Sequence, residues 1–403
     1  MNYQEAIDVL FTKLPMFQRS GPAAYKANLD GTKAVCSMLG NPENDLKYIH
    51  IAGTNGKGTV AHMLSAILQS AGYKVGLFTS PHLVDFRERI RINGEMIEEN
   101  DVIDFVGEFR EKWGFPSFFE LTFGMALRYF SRSKVDVVIL ETGMGGRLDS
   151  TNVIPTAEVC VVTNVGLDHQ QFLGSTIREI AGEKAGIIKH GIPVVLGKMR
   201  PEAQSVVLEH ALKKSSEMHY GRFVPEGLSD DLSPCFKENA ATAYETSRVL
   251  KLQGWDIDET SVIDSINNYR TISGQIGRGE FLHASEGLGS LIIDCAHNID
   301  GIEALMSSLQ GKLHIVFGTV GDKDPSVVLN LIPKDSVMYW CSADIVRAMD
   351  VEKLAGFGTS VGLSGKCYCS VVDAVEAARR ATCDVESEQA VVCGSIFVVG
   401  EVV

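Results

Sequence analysis

Short apolar runs rich in β-branched residues alternate with helical segments along this chain, and this alternation limits the possible folds more than any other feature. The runs in the first part of the chain cover residues 48–53, 74–81, 135–143, 157–166 and 192–198. The run at 135–143 is apolar up to Glu141, apart from Asp136, as expected of a parallel strand that is buried on both faces. This alternation predicts an α/β fold with a mainly parallel sheet covered by helices.

A second series of strand and helix patterns follows an irregular stretch at 273–289 in which glycine is frequent. A chain of 403 residues exceeds the roughly 250–300 residues that one hydrophobic core serves. We therefore predict a domain boundary near 276–285. The larger N-terminal domain would cover 1–276, a linker 277–284, and a smaller C-terminal α/β domain 285–403.

Charge and hydropathy exclude several classes of protein. The net charge of −14 argues against a broad nucleic-acid surface, so we expect no nucleic-acid partner. No apolar run approaches the roughly 18–20 residues of a membrane span, and the N-terminal segment is typical of an amphipathic helix rather than a signal peptide. Nine scattered cysteines fit the reduced thiols of a cytosolic protein. We therefore expect a cytoplasmic protein that does not associate with membranes.

The segment GTNGKGT, residues 53–59, connects the first predicted strand to a helix. Its three glycines let the backbone approach an anion, and the start of the helix offers free N–H groups to that anion. Lys57 would supply charge for the β- and γ-phosphates of a nucleotide, and Thr59 could reach a metal. The spacing differs from the standard phosphate loop, in which four residues separate the first glycine from the Gly-Lys pair. The flanking strand and helix nevertheless favour a nucleotide loop of P-loop type over a simple glycine turn.

Further polar residues follow the other predicted strands, at the sheet edge where ligands bind in open α/β folds. Ser80 could ligate Mg²⁺ or cap a helix. Glu141 needs a partner because an unpaired buried carboxylate is costly, and that partner could be a hard cation or Arg147. His169 falls at the same edge, whereas Lys184, considered alone, is typical of an ordinary helix lysine.

Three more candidates lie close to the predicted boundary or in the helix before it: Asn239, Arg278 and Asp294. Residues that face a cleft between domains commonly hold a ligand. Each of the three is weak evidence when it is taken alone.

Taken together, these segments resemble the folylpolyglutamate synthase/dihydrofolate synthase family, a branch of the Mur-type ADP-forming ligases. The matching stretches run in family order from Gly53 to Val402. They are GTNGKGT, TSPHL, ETGMGGRLDSTN, TNVGLDH, GEKAGI, NAATA, GR, DCAHN, GDKD and VVCGSIFVVGEV. The N-terminal stretch MFQRSGPAAYKANLDGTKAVCSMLGNP also resembles the corresponding segment of the family.

The resemblance implies an ATP-binding N-terminal domain and a glutamate-handling C-terminal domain. The residues that would bind ATP are Thr54, Asn55, Gly56, Lys57, Gly58 and Thr59, completed across the cleft by Asn239, Arg278 and Asp294. The residues that would hold Mg²⁺, in two sites, are Ser80, Glu141, His169 and Lys184. Lys184 matches a lysine that is carbamylated in this family and thereby becomes an anionic metal ligand. The residues with a direct part in catalysis would be Lys57, Glu141, His169 and Lys184.

The resemblance also implies where the other substrates bind. The residues near the pteridine acid would be Lys26, Leu29, Ser117, Phe118, Phe119, Glu120, Leu148, Asp149 and Ser150. The incoming glutamate would lie beside His297 and Ser395. The chain departs from the family pattern after His169, before Asn239, and in the N-terminal stretch, which lacks a common Leu-Gly-Leu. The last departure leaves the preferred substrate open.

The implied activity is ATP-dependent addition of L-glutamate to dihydropteroate, to folates or to both, through an acyl phosphate. We expect a monomeric, bifunctional enzyme that acts on small molecules, and a monofunctional folylpolyglutamate synthase is the alternative. A cell-wall Mur ligase would normally bring an additional N-terminal nucleotide-sugar domain, for which a loop beginning at residue 53 leaves no room. A nucleotide-dependent switch protein is a further alternative, which glutamate-dependent release of ADP would distinguish.

Overall fold

The computed structural model describes residues 1–16, 28–112, 114, 116–229, 233–321, 324–383, 385 and 387–403. The chain forms two compact units, Met1–Gln275 and Ile276–Val403. The division falls at the start of the stretch in which we predicted the domain boundary. Each unit is built around its own sheet.

The sheet of the first unit has the strand order β4-β3-β2-β5-β1-β6-β7-β8. Its strands are β1 (Tyr48–Ala52), β2 (Val75–Phe78), β3 (Ile90–Ile92), β4 (Glu95–Met96), β5 (Val137–Glu141), β6 (Val159–Val162), β7 (Val194–Leu196) and β8 (Met218–Tyr220). The six strands from β2 to β8 in this order pair in parallel, while β3 and β4 are antiparallel at one edge. The predicted mainly parallel sheet is therefore confirmed.

Helices cover both faces of this sheet. They are α1 (Tyr3–Lys13), α2 (Asp30–Met38), α3 (Lys57–Ser70), α4 (Glu99–Phe109), α5 (Phe118–Ser133), α6 (Gln170–Leu173), α7 (Ile177–Ala185), α8 (Pro201–Lys213), α9 (Pro234–Leu252), α10 (Glu259–Asn267) and α11 (Tyr269–Ser273). One apolar core lies on each face, and strand β5 contributes to both because alternate side chains point to opposite sides. Helix α3, which follows the glycine loop, packs against α9, α10 and α11.

The sheet of the second unit has the strand order β13-β12-β11-β14-β10-β9. Its strands are β9 (Arg278–Leu282), β10 (Leu291–Asp294), β11 (Lys312–Phe317), β12 (Val337–Trp340), β13 (Ser364–Cys367) and β14 (Glu388–Cys393). Its helices are α12 (Ile299–Ser307), α13 (Ser326–Leu329), α14 (Val351–Ser360), α15 (Val371–Ala381) and α16 (Ile396–Gly400). All neighbouring strands are parallel except β9, which is an antiparallel edge strand.

The registers of β1 bring three strand ends together in the first unit. Ile51 pairs with Glu141 at the end of β5, and Ala52 pairs with Val162 at the end of β6. The residues that follow these strands therefore meet at one edge of the sheet, as we predicted.

Two predictions about the chain as a whole can be compared with the structure. All nine cysteines are free thiols. Among the residues that the structure describes, none of the helices combines the length and the apolar character needed to cross a bilayer.

Candidate active site

The glycine loop requires glycine at two positions, at Gly56 for its backbone conformation and its space and at Gly53 for its space alone. Gly56 has a φ of 79° directly before helix α3, in the left-handed region that glycine adopts without strain. A Cβ at Gly56 would lie 2.2 Å from Oδ1 of Asn239, and one at Gly53 would lie 1.9 Å from Oγ1 of Thr163. Side chains from two other elements therefore touch the loop where it lacks its own. Asn239, on α9, belongs to the same unit as the loop and lies beside it.

Hydrogen bonds to the segment after β6 hold the loop in place. Asn164 accepts the Thr54 N–H at its backbone oxygen (3.1 Å) and the Asn55 N–H at Oδ1 (2.8 Å). The hydroxyl of Thr163 donates to the Asn55 carbonyl at 2.7 Å, and the N–H of Gly166 donates to Oγ1 of Thr54 at 2.9 Å. Neither Thr163 nor Asn164 is among the predicted site residues. Their signal was a Thr-Asn pair directly after a buried strand.

Two lysines converge on the carbonyl groups of the loop. Nζ of Lys57 donates to the Thr54 carbonyl at 3.1 Å, and Nζ of Lys184 donates to the Gly53 carbonyl at 2.8 Å. Lys184, in the last turn of α7, is only 3% exposed. Burial, assisted by the charge of Lys57, lowers the pKa of Lys184 to about 7. Lys184 is therefore not an ordinary surface lysine of a helix.

Glu141 faces the start of helix α3. Its Oε2 accepts the backbone N–H of Ser80 at 3.0 Å, and a Cβ at Gly58 would lie 3.4 Å from the same oxygen. The structure thus brings Ser80 and Glu141 together beside the loop. Thr59, in the first turn of α3, is buried at the same end of the helix.

A buried arginine provides the positive charge near Glu141. Burial lowers the pKa of Arg89 to about 10, while the negative charge of Glu141 opposes that shift. Its Nε donates to Nδ1 of His82 at 2.7 Å, and its guanidinium lies over the ring of Phe118. Arg147, which we had considered as a partner of Glu141, is instead exposed and pairs with Glu183 at 2.8 Å. No local sequence pattern indicates a role for Arg89, because only the tertiary fold brings it close to Glu141.

His169 ends the segment that begins at Thr163. It has a φ of 51° and precedes α6, and its N–H donates to Oδ1 of Asp168 at 2.8 Å. Within the described ranges, no three His, Cys, Asp or Glu side chains form a group that could hold a metal. Of the predicted metal ligands, only Glu141 and His169 are of these types. A metal here would therefore need further oxygen ligands, from Ser80, from a modified Lys184 or from the nucleotide.

The residues expected near the pteridine differ in their surroundings and in the contacts that they make. Ser117 and Glu120 form the capping box of α5, since each accepts the backbone N–H of the other. Phe118 is buried among Phe11, Phe86 and the Arg89 guanidinium. Phe119 instead lies against Gly143, where a Cβ would be 2.7 Å from Cζ of its ring.

The N-terminal candidates are described only in part. Lys26 lies outside the described residues. Leu29 directly precedes α2, where the neighbouring Gly31 packs so closely on Glu120 that a Cβ would be 2.1 Å from Oε1. Leu29 therefore lies close to the start of α5.

Asp149 organises the loop of residues 143–150. We call it the acceptor loop, because it contains three of the residues predicted to lie near the pteridine acid that would accept glutamate. Its Oδ2 accepts the Met144 N–H at 2.8 Å, and its Oδ1 accepts the Thr151 N–H at 3.0 Å. Burial raises the pKa of this carboxyl, and these donors oppose the shift. Leu148 and Ser150, on either side of Asp149, are half-buried.

In the second unit, Arg278 and Asp294 are partners across β9 and β10, at a register shift. Asp294 accepts the N–H groups of Gly279 and Ala296, each at 2.8 Å. Burial raises the pKa of the Asp294 carboxyl, and the positive charge of Arg278 opposes this. The pair is thus fixed by backbone geometry at one end of these strands.

His297 and Ser395 lie on neighbouring turns of the second unit. The N–H of Gly394 donates to the Ala296 carbonyl at 2.8 Å, and this bond links the two turns. Ser395 caps α16, because its Oγ accepts the Phe397 N–H at 3.2 Å. The two residues predicted to lie near glutamate are therefore close in the fold.

Known proteins match this chain over both units. The Mur ligase middle domain family matches residues 51–222, and the Mur ligase glutamate ligase domain family matches residues 277–395. A Bacillus subtilis protein named dihydrofolate synthase/folylpolyglutamate synthase is 34% identical over 365 residues, which cover 80% of this chain and 83% of that protein.

Solved structures also match along the full length of the chain. A structure described as E. coli FolC in complex with DHPP and ADP has a TM-score of 0.84 and 30% identity, covering 100% of this chain and 97% of that one. A Yersinia pestis bifunctional folylpolyglutamate synthase/dihydrofolate synthase, complexed with AMPPNP and Mn ion, has a TM-score of 0.82 and 27% identity over 100% and 97%. The chain therefore belongs to the dihydrofolate synthase/folylpolyglutamate synthase family of Mur ligases, and it is an ADP-forming ligase.

Proposed function

We propose that this ligase adds L-glutamate to dihydropteroate and to the terminal glutamate of folates, with ATP as the source of energy. The observation that carries the proposal is the braced loop at Gly53–Thr59, with Lys57 in it and Glu141 facing the first turn of α3. This arrangement suits the transfer of a phosphoryl group to a carboxylate. The ADP and DHPP bound in the E. coli structure, and the AMPPNP in the Yersinia structure, support the same substrates.

The chemical problem is that a carboxylate is a poor electrophile. Attack of the acceptor carboxylate on the γ-phosphorus of ATP would give an acyl phosphate and ADP. The N–H groups at the start of α3 and the ammonium of Lys57 would stabilise the charge that spreads over the transferring phosphoryl group. Hydrogen bonds from the segment after β6 hold the loop ready for this step.

The second step forms the amide bond. The neutral amine of glutamate would attack the acyl carbon, and the tetrahedral intermediate would collapse with release of phosphate. We assign glutamate to the second unit, beside His297 and Ser395, and the acceptor acid to the first unit, beside Phe119 and the acceptor loop. Arg278 and Asp294 would bind ATP from the second unit. Because water would hydrolyse the acyl phosphate, the reaction requires that the site exclude water.

The residues of the first unit fit a hard divalent cation. The missing side chain at Gly58 leaves space beside the Glu141 carboxylate, and the available ligands are mostly oxygen atoms, which Mg²⁺ prefers. Ser80, Glu141, His169 and a carbamylated Lys184 would hold it, in two sites. When bound, Mg²⁺ would neutralise phosphate charge during transfer. The Mn ion of the Yersinia structure supports a divalent metal.

Carbamylation of Lys184 is expected because a neutral amine reacts with CO₂ and an ammonium does not. With a pKa near 7, an appreciable fraction of Lys184 is neutral at pH 7–8, whereas an exposed lysine with a pKa of about 10.4 is almost entirely charged. The extent of modification should therefore rise as the pH rises through 7. Mass spectrometry under non-denaturing conditions with added bicarbonate should show the mass of one CO₂, absent from Lys184→Met. The same mass gain in Lys184→Met would contradict the assignment.

The activity itself can be tested with purified protein, ATP and L-glutamate. With dihydropteroate or tetrahydrofolate as the acceptor, we expect one glutamyl residue of added mass and one ADP per product. Products from both acceptors would show a bifunctional enzyme, and a product from tetrahydrofolate alone would show the monofunctional alternative. If neither acceptor gains mass, the proposed function is wrong. Cytoplasmic location and a monomeric state stay predictions.

A further inference from the structure

A histidine lies in the central strand of the first unit, where an aliphatic residue would be expected. His50, on β1, is 0% exposed and stands between Ile49 and Ile51, which are equally buried. Burial, with the positive charge of Lys189, lowers its pKa to about 3, so the ring is neutral at physiological pH. A neutral imidazole has a single N–H to donate.

The hydrogen bonds around Thr151 show which ring nitrogen carries the proton. Oγ1 of Thr151 lies 2.8 Å from Nε2 of His50 and 2.7 Å from Oδ1 of Asp149. A carboxylate only accepts, so the threonine hydroxyl donates to Asp149. The oxygen of Thr151 must then accept from Nε2–H of His50. This leaves Nδ1 without a hydrogen, and Nδ1 is buried without a hydrogen-bond partner.

The three side chains therefore form a directed chain from β1 to the acceptor loop. His50 donates to Thr151, and Thr151 donates to Asp149, which in turn accepts the Met144 N–H at the other end of the loop. Thr151 is 0% exposed and Asp149 is 6% exposed, so water does not readily replace the hydrogen bond between them. An aliphatic residue at position 50 would pack in the core and would not leave a nitrogen unpaired. The hydrogen bond to Thr151 is what the histidine adds.

We propose that His50 is a positioning residue for the acceptor acid: through Thr151 and Asp149 it fixes the acceptor loop against Phe119. The proposal rests on the proposed function, which assigns this loop to the pteridine substrate. His50 does not touch the substrate, and its effect reaches the loop through the threonine hydroxyl. It should therefore influence binding of the acceptor acid and leave binding of the nucleotide nearly unchanged.

The experiment compares four variants of the full chain. His50→Leu removes the first donor, Thr151→Val removes the hydroxyl with little change of shape, and Thr151→Ser retains it. His62→Leu is the matched control, because His62 is also buried, has its pKa lowered to about 3 and bonds a hydroxyl, that of Ser273, away from the acceptor loop. For each variant we would measure the KM of dihydropteroate and of ATP, the Tm, and hydrogen exchange of the amides at 143–150.

We expect Thr151→Val to raise the KM of the acceptor about tenfold, as for loss of one hydrogen bond to a charged group. His50→Leu, which loses a hydrogen bond between neutral groups, should raise it about fivefold, and the KM of ATP should change less than twofold in both variants. Amide exchange at 143–150 should become faster in both variants, while Thr151→Ser should resemble the native protein. The double variant His50→Leu, Thr151→Val should be no worse than Thr151→Val. His62→Leu should lower the Tm without changing the acceptor KM selectively.

Equal changes in both KM values, or an acceptor loop whose exchange is unaltered in Thr151→Val, would show that His50 and Thr151 only fill the core. If His50→Leu does not fold, Thr151→Val against Thr151→Ser decides the question. A native protein that uses neither dihydropteroate nor tetrahydrofolate would contradict the proposed function. Hydrogen exchange would then still show whether His50 and Thr151 order the loop.

Discussion

Replacing Lys57 with methionine should lower kcat by about 10³-fold, at the upper end of the loss seen when one group that stabilises a charged transition state is removed. The ammonium of Lys57 has one hydrogen bond within the loop, to the Thr54 carbonyl, and the side chain is only half-buried. The fold should therefore tolerate the change. Rate measurements at saturating ATP, acceptor and glutamate would give kcat directly.

The control for this prediction is Lys213→Met, at the exposed end of α8. It removes the same charge from the same unit, and we expect kcat to stay within twofold, since exposed charges contribute little. Binding of ADP to Lys57→Met, measured by calorimetry, should be weakened much less than kcat. If Lys57→Met retains more than about a tenth of the native kcat, the lysine does not stabilise the transferring phosphoryl group.

Replacing Glu141 with glutamine should lower kcat by about 10²–10³-fold and raise the Mg²⁺ concentration needed for half-maximal rate. Glutamine has nearly the same shape and can still accept the N–H of Ser80, but it cannot neutralise a cation. The Arg89 guanidinium, which is buried, would also lose a nearby opposite charge, so the Tm should fall. The dependence of the rate on the Mg²⁺ concentration would be measured by titration. Binding of Mn²⁺ would be measured independently by electron paramagnetic resonance.

Glu183→Gln is the matched control for Glu141→Gln. Glu183 pairs with Arg147, whose side chain is 57% exposed, and breaking such a pair typically has little effect on stability. We expect native rates and native dependence on Mg²⁺. An unchanged affinity for Mn²⁺ in Glu141→Gln would mean that this carboxylate is not a metal ligand.

The sequence predicts the fold and the edge of the sheet at which the candidate site residues meet, because both follow from local patterns. Runs such as 135–143 indicate a strand buried on both faces, and the polar residue that ends such a run falls at the sheet edge. Glu141 was located in this way, and its proximity to Ser80 followed once the strand order was known.

The supporting side chains could not be predicted, because their roles depend on contacts between distant segments. Arg89 carries no local signal, and it approaches Glu141 only after β2, β3 and β5 pair. His50 stands inside an apolar strand pattern and acquires a partner 101 residues away. Ser117 and Glu120 differ from Arg89 and His50, because a local pattern does indicate their role in the fold. The Ser-x-x-Glu pattern is typical of a capping box at a helix start, and the structure shows that box, which the family resemblance does not indicate.

The bracing of the glycine loop has a consequence for the thermodynamics of binding. Thr163, Asn164 and Gly166 hold the loop by hydrogen bonds within the first unit, so contacts inside the protein support its shape. The conformational entropy of ordering these residues is therefore lost when the protein folds rather than when the nucleotide arrives. The nucleotide would bind to a loop that is already ordered. Its affinity for this loop should therefore vary with the charge of the nucleotide more than with the flexibility of the chain.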